Sequence, residues 1–269
     1  IDFIDAIAAD TSGAVTAGIS GLDADDINNW LAANGEDSNA LTITPNAVST
    51  AASDLTGLDG KTNVAIVAGS IPTITGTVAQ AAAVVAAAGI ATVKADVSFT
   101  LANAAGATVD ELISLNGATT TQVNANLQAT LTGNAASWTA LVEDKTLAEV
   151  VLKSDVAATL TGASTVADLN VINPHTTGAI VATALSDTHT AIAAGDVTTI
   201  LQSINGSGGS VTATASGVAD VINLNTISPG SGGVGITIVG GAGNDTITGT
   251  AGTGSDTFRF ATIADGGLD

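Results

Sequence analysis

The stretch Thr130–Asp144, TLTGNAASWTALVED, has a near copy at Thr159–Asn173, TLTGASTVADLNVIN, and that likeness sets the reading of the whole chain. Each copy opens as a strand-like run, meets a glycine, places a polar residue close behind it and continues as a short amphipathic segment. The same shape recurs in GISGLDADDINNWLA, TITGTVAQAAAVVAA, NAAGATVDELISLNG and IAAGDVTTILQSING. The glycines are Gly21, Gly76, Gly106, Gly133, Gly162 and Gly195. The long gap after Gly21 has room for one further unit, STAASDLTGLDG, which makes the mean step about 29 residues.

Each part of the unit has a local cause. Glycine permits a sharp turn out of a strand. The Asp, Ser, Thr or Asn behind it caps a helix start. Apolar residues then fall at helical spacing: Ile27, Trp30 and Leu31; Leu112, Ile113 and Leu115; Leu169 and Ile172; Ile200, Leu201 and Ile204. Between them lie stretches such as TNVAIVAGSIPTIT and TTTQVNANLQATLT, where small apolar residues alternate with Thr or Asn as in a half-buried strand. A unit of one short helix and one or two short strands cannot bury its own apolar face, so it stacks on its neighbours. The expected fold class is an α/β repeat solenoid over residues 1–206, with a period of about 29 residues and about seven coils. The alternative is an ordinary α/β or β-sandwich domain.

Composition agrees with thin, regular layers. Hydrophobic residues make up 45% of the 269 positions, but aromatics only 2%. The chain carries 25 acidic and 5 basic residues, a formal net charge of −20, and ten acids precede the first basic residue, Lys61. That balance excludes nucleic acid as a partner, because phosphate neutralisation needs a cationic surface. It disfavours anionic lipid headgroups on the same ground. Divalent cations would relieve the self-repulsion of such a surface. Cysteine is absent, so neither disulfides nor thiolate metal sites form. The most apolar run, AQAAAVVAAAGIATV, is too short and too Ala-rich to span a membrane, and no membrane insertion is expected. No N-terminal signal pattern is visible. The chain begins at Ile1 and stops at ADGGLD, which reads as a processed chain or a fragment of a longer one.

The Gly/Ser-rich NGSGGS, Asn205–Ser210, marks a boundary, and residues 207–269 read as strands and glycine turns alone. Here GGAGNDTIT, Gly240–Thr248, fits Gly-Gly-x-Gly-x-Asp-x-U-x at every defined position, with Asp245 and Ile247 at the last two. A second copy, AGTGSDTFR, keeps Gly252, Gly254, Asp256 and Phe258. Upstream, GGVGITIVG has Thr237 in place of the Asp, and GVADVINL keeps a Gly, Asp220 and the apolar position. Glycines of this kind curl a turn so that carbonyl oxygens point inward, and the Asp adds a carboxylate. Ca²⁺ is a hard ion that takes six to eight oxygens at about 2.3–2.6 Å, which stacked turns can supply. The apolar residue after the Asp is expected in the core. A plain glycine hairpin with Asp as turn former is the competing reading.

On these residues the chain resembles the RTX family of calcium-binding repeat proteins that bacteria export by type I secretion. The likeness covers a minor part of the chain, Gly240–Arg259 with the weaker copies upstream of it. The second copy also starts late, at Ala251, where an unbroken repeat would restart at Gly249. The resemblance implies a C-terminal β-roll-like segment. It implies Ca²⁺ held by Asp245, Asp256, Gly241, Gly243, Asn244, Gly252, Gly254 and Asp220. It also implies a secreted protein at the cell surface, with an export signal at the C-terminus.

Catalytic signatures are missing. His175 follows Pro174 in a turn, and His189 stands near Ser186 and Asp187 on one strand, which does not make a triad. No zinc motif, nucleophile elbow or phosphate loop occurs. The pairs Asp25-Asp26 and Asp110-Glu111 sit where acids favour a helix dipole, and Glu143-Asp144 closes a helix. Trp30 and Trp138 are assigned to core packing at related repeat positions. No enzymatic activity is expected. The chain reads as a secreted, calcium-stabilised structural protein that self-associates into a homo-polymer: a surface layer, filament or adhesin stalk, with a cell-surface glycan as a further partner. Two alternatives stay open: an accessory or binding region of a larger secreted RTX enzyme, and a glycan- or ice-binding module suggested by the strings TITGT, TATAS and LTIT.

Overall fold

The structure is a computed structural model that describes residues 16–34, 40–91, 93, 95–143, 150–193, 210–214, 221–223, 234–241, 245–249 and 255–259. Short helices alternate with parallel strands, so the fold is α/β. The chain divides into two compact units: Ile1–Ala129 with Asp144–Lys153, and Thr130–Glu143 with Ser154–Asp269.

In the first unit the elements run β1 (Thr16–Ser20), α1 (Ala24–Asn34), β2 (Ala40–Thr44), β3 (Thr50–Ala51), α2 (Ala52–Asp59), β4 (Ile66–Val67), β5 (Thr73–Thr77), α3 (Val78–Ala86), β6 (Ile90–Ala91), β7 (Ser98–Ala102), α4 (Val109–Gly117) and β8 (Val123–Ala125). The second unit opens with β9 (Thr130–Asn134) and α5 (Ala135–Glu143), after which β10 (Val150–Leu152) returns to the first. The second unit continues with β11 (Ala157–Ser164), α6 (Val166–Ile172), β12 (Ile180–Thr188) and α7 (His189–Ala193). It then runs β13 (Ser210–Thr214), β14 (Val221–Asn223), β15 (Val234–Val239), β16 (Thr246–Thr248) and β17 (Ser255–Arg259).

Every assigned strand pair is parallel. A five-stranded sheet takes the order β3-β5-β7-β8-β10 and a six-stranded sheet the order β9-β11-β12-β13-β15-β17, so strands pair in chain order. The sheets β1-β2 and β4-β6 lie in the first unit, and β14-β16 in the second. Thr50 faces Ile74, Thr130 faces Ala157, and Thr237 faces Thr257, each pair closer in sequence than the expected period. Helices start at Ala24, Ala52, Val78, Val109, Ala135, Val166 and His189, most steps again falling short of that period. The mean step is overestimated because its end markers are not equivalent: Gly21 precedes α1, whereas Gly195 follows α7 in the chain. Gly76 and Gly133 lie inside strands, opposite Leu101 and Leu160, whereas Gly106 lies in the loop between β7 and α4.

The caps expected behind the glycines do form. Thr77, Thr108 and Thr165 each accept a hydrogen bond from the backbone N–H three residues on, and Gln80, Glu111 and Asp168 return the bond to complete capping boxes. Asn134 Oδ1 accepts from Ser137 N at 2.9 Å, and Asp23 Oδ1 from Asp26 N at 2.9 Å. Each helix then buries residues three apart: Ala52, Leu55 and Leu58; Val78, Ala81 and Val84; Val109, Leu112 and Leu115; Val166, Leu169 and Ile172. These face inward-pointing strand residues such as Ile74, Phe99, Leu131 and Leu160, all fully buried. Trp138 is buried in α5, but Trp30 is half-buried and stands at the seventh residue of α1 rather than the fourth. The two tryptophans therefore do not share a repeat position. Ile200, Leu201 and Ile204 lie outside the described residues.

A repeated threonine, not foreseen from the glycine spacing, ties successive strand-helix segments together. After α2, α4 and α6 come Thr62, Thr119 and Thr176, evenly spaced at every second helix. Each hydroxyl donates to a carbonyl 20–22 residues back, on Leu41, Val97 and Val156. Each also accepts from the N–H two residues ahead, on Val64, Thr121 and Gly178. One hydroxyl thus satisfies a strand-end acceptor and closes its own turn. Gln128, fully buried, plays a similar part by donating to Ala102 O.

Beyond residue 207 the described residues contain no helix. The six-stranded sheet nevertheless continues across that point, since β12 pairs with β13. From β13 onward the strands alternate between two sheets: β13, β15 and β17 in one, β14 and β16 in the other.

Candidate metal centre

The glycine-aspartate turns belong to this alternating region. Asp245 immediately precedes β16 and is 7% exposed, which is rare for a carboxylate. Gly241, at φ +77°, takes a left-handed conformation open mainly to glycine. Asp256 lies inside β17 and is half-buried. Its Oδ1 accepts the backbone N–H of Ile236 on β15 at 3.0 Å. Its Oδ2 lies against Gly249, where any Cβ would collide with the carboxylate. That close approach explains a glycine at 249 without a positive φ. Gly243, Asn244, Gly252, Gly254 and Asp220 lie outside the described residues.

The two motif copies end in different sheets. β16 pairs with β14, and β17 with β15. The register sets Val221 opposite Thr246, so Asp220 and Asp245 precede matched strand residues. Asp256 has its opposite number near Ile236, where β15 carries an irregularity between Val234 and Thr237. The apolar positions differ as well. Ile222 is buried, Ile247 half-buried, and Phe258 is 47% exposed on the last described strand. Phe258 thus departs from the expected core position, because no further described strand covers it.

The donor chemistry around Asp245 suits a hard cation: a buried carboxylate and a glycine-turned backbone, with no sulfur anywhere in the chain. Asp256 suits it less directly, since one oxygen holds a strand amide. Among the described residues no three His, Cys, Asp or Glu side chains group as a metal site, so most oxygens of such a site would come from backbone.

The other side chains singled out in the sequence lie at helix starts, a strand end and a 3-10 turn. Asp187 uses both oxygens on backbone, accepting from Val166 N at 2.9 Å and Thr188 N at 2.7 Å. His175 is exposed at the end of a 3-10 turn, Asn173–His175. Asp25-Asp26 and Asp110-Glu111 occupy first helical turns, where the dipole favours them. Asp54, at the start of α2, is raised above the usual Asp range by burial and then by the Asp25 carboxylate, with a smaller push from Asp23; a hydrogen bond from Ser53 opposes them. Among the described residues no helix is long and apolar enough to cross a membrane. The chain matches no protein-family model, no curated protein and no solved structure.

Proposed function

We propose that the chain is a secreted, calcium-stabilised structural protein that self-assembles at a bacterial surface, as a surface layer, filament or adhesin stalk. In this reading the helix-bearing units form an α/β solenoid and residues 207–269 a β-roll-like segment. The observation that supports it best is the pairing order: parallel strands follow one another in chain order, and beyond β13 they alternate between two sheets. Strands stacked this way present edge amides and carbonyls to a further copy of the same pattern.

Calcium would be held at the Asp245 turn by its carboxylate and the carbonyls around Gly241, Gly243 and Asn244, with Asp220 contributing from the matched turn. Asp256, with Gly252 and Gly254, would serve the neighbouring turn. The ion supplies positive charge in a chain of net charge −20 and cross-links successive turns. Its role is structural, and the reading assigns no reaction. A cell-surface glycan is the partner class outside the polymer.

Electron microscopy of the purified chain with calcium, and after chelation, tests this. Ordered sheets or fibres that disperse on chelation are the expected result. A monodisperse particle indifferent to calcium would count against both the assembly and the ion.

A further inference from the structure

The six-stranded sheet alternates two ranks of side chains. One rank is core: Leu131, Ala158, Leu160, Ile180, Ala182, Leu185, Ala213, Ile236 and Ile238 are all buried. The other rank is hydroxyl-rich and aligned. Ser186 faces Thr212, Thr212 faces Thr237, and Thr237 faces Thr257, one continuous row across β12, β13, β15 and β17. Two residues along, Thr188 faces Thr214. At the other side of the sheet Thr132 faces Thr159, and Asn134 faces Thr161. Ser186, Thr188, Thr214 and Thr257 are exposed, and Thr212 and Thr237 are half-buried between neighbouring rungs.

Two features separate this face from an ordinary solvated one. Strand propensity favours Val, Ile and Tyr as much as Thr and places no condition on alignment. Here the hydroxyls recur at one register position on four successive strands. Secondly, charge is withheld. A solvent-facing sheet is normally kept soluble by Lys and Glu. In this chain of 25 acids the described acids lie mostly in helices and turns, and on the rows just named and their continuation through Val239 only Arg259 is charged.

We infer that this face adsorbs to ice. Parallel strands set the hydroxyls about 4.7–4.9 Å apart across rungs and about 6.6 Å apart along each strand. That two-dimensional period is close to the oxygen spacing of the hexagonal ice lattice. A ligand that is itself periodic in two dimensions matches such a face at every rung, and the Thr methyl groups fill the spaces between its oxygens. A polysaccharide repeats in one dimension and is held by aromatic stacking, and these rows carry no aromatic side chain.

The test uses the full chain in calcium-containing buffer, with retention on growing polycrystalline ice and the shape of single ice crystals as readouts. The expected results are retention in the ice fraction and faceted, growth-arrested crystals. Ser186→Tyr and Thr214→Tyr, at exposed positions that tolerate bulk, should abolish both while the far-ultraviolet spectrum stays unchanged. Ser114→Tyr, on the exposed side of α4, should leave both intact. Exclusion of the unmodified chain from ice would overturn the inference. So would full retention of the two sheet variants, or binding to insoluble cellulose that those variants abolish while ice retention stays absent.

Discussion

The helix-bearing segments and the glycine-rich strands beyond residue 207 solve the same problem with different chemistry. Both must join a strand to its parallel neighbour in the sheet. In the helix-bearing segments the joins are mostly neutral: Thr62, Thr119 and Thr176 hydroxyls reach back to strand carbonyls, and Asp187 adds one carboxylate, which takes the Val166 amide. In the C-terminal strands it is anionic: the Asp256 carboxylate takes the Ile236 amide, and Asp245 is buried at a turn. The helix-bearing segments also carry a packed layer of helices, whereas the last strands end on an exposed Phe258. Hydroxyl joins give an ion no charge to neutralise. A thin layer closed by carboxylates stands to gain from one.

The sharpest way to break this contrast is in the cores. Leu112→Ala removes a fully buried side chain between α4 and the sheet and should cost about 2–5 kcal/mol. Ile247→Ala removes a half-buried one and should cost clearly less. Thermal unfolding followed by circular dichroism measures both. Equal losses would mean that the two regions are packed alike.

Calcium should act on one region only. An ion at about a hundredfold excess over its dissociation constant stabilises by about 2.7 kcal/mol. Hydrogen exchange should therefore slow in β14 to β17 on calcium addition and stay unchanged in α2 to α4. Asp245→Asn should remove most of that protection. Protection that rises uniformly, or survives the substitution, would place the ion elsewhere.

The neutral join is the next largest. Thr119→Val keeps the shape but leaves the Thr121 amide without its acceptor, while the Val97 carbonyl keeps the Thr121 hydroxyl at 2.7 Å, so the cost falls at the lower end of about 1–3 kcal/mol. Thr119→Ser should restore most of it. Urea midpoints for the three proteins make the comparison, and the same cost in chelator and in calcium is expected.

How legible this was in the sequence depended on how local each signal is. Helices, their caps and their buried triplets were readable, because Thr108, Glu111, Leu112 and Leu115 act within one or two turns of each other. The alternation of short helices and strands was readable too, but its step was overestimated. Gly21 and Gly195 look alike as letters, yet one precedes α1 and the other follows α7. The Thr62, Thr119 and Thr176 joins were missed because their partners lie 20–22 residues back, although the even spacing of the three could have exposed them. Asp245 and Asp256 read as twins in adjacent turns, and only strand pairing separates them onto different sheets. Alignment of the hydroxyl row was equally hidden. TATAS and GITIV fall out of phase with the step the glycines suggest but in phase with the shorter one that sets Thr212 opposite Thr237.

The smallest effect tests whether the acids of the helix-bearing segments are as indifferent to calcium as the hydroxyl joins. Asp54 holds its proton more tightly in the fold than in the open chain, chiefly through burial and then through Asp25. The folded state therefore bears a penalty at neutral pH, where Asp54 is charged. The penalty is present in full above the raised pKa and disappears as pH falls to the ordinary Asp range. Asp54→Asn should raise the melting temperature slightly at neutral pH, and the gain should vanish in acid. The first-turn position trims the gain, because the α2 dipole favours a negative charge there. Asp25→Asn in the same background should add little, since its repulsion acts on a charge already removed. Calcium should leave the Asp54→Asn difference unchanged, because among the described residues no group of three acids near α1 and α2 is arranged to hold an ion. A gain that disappears on calcium addition would show cations bound among Asp23, Asp25 and Asp54, and the expected confinement of calcium to the C-terminal strands would fail.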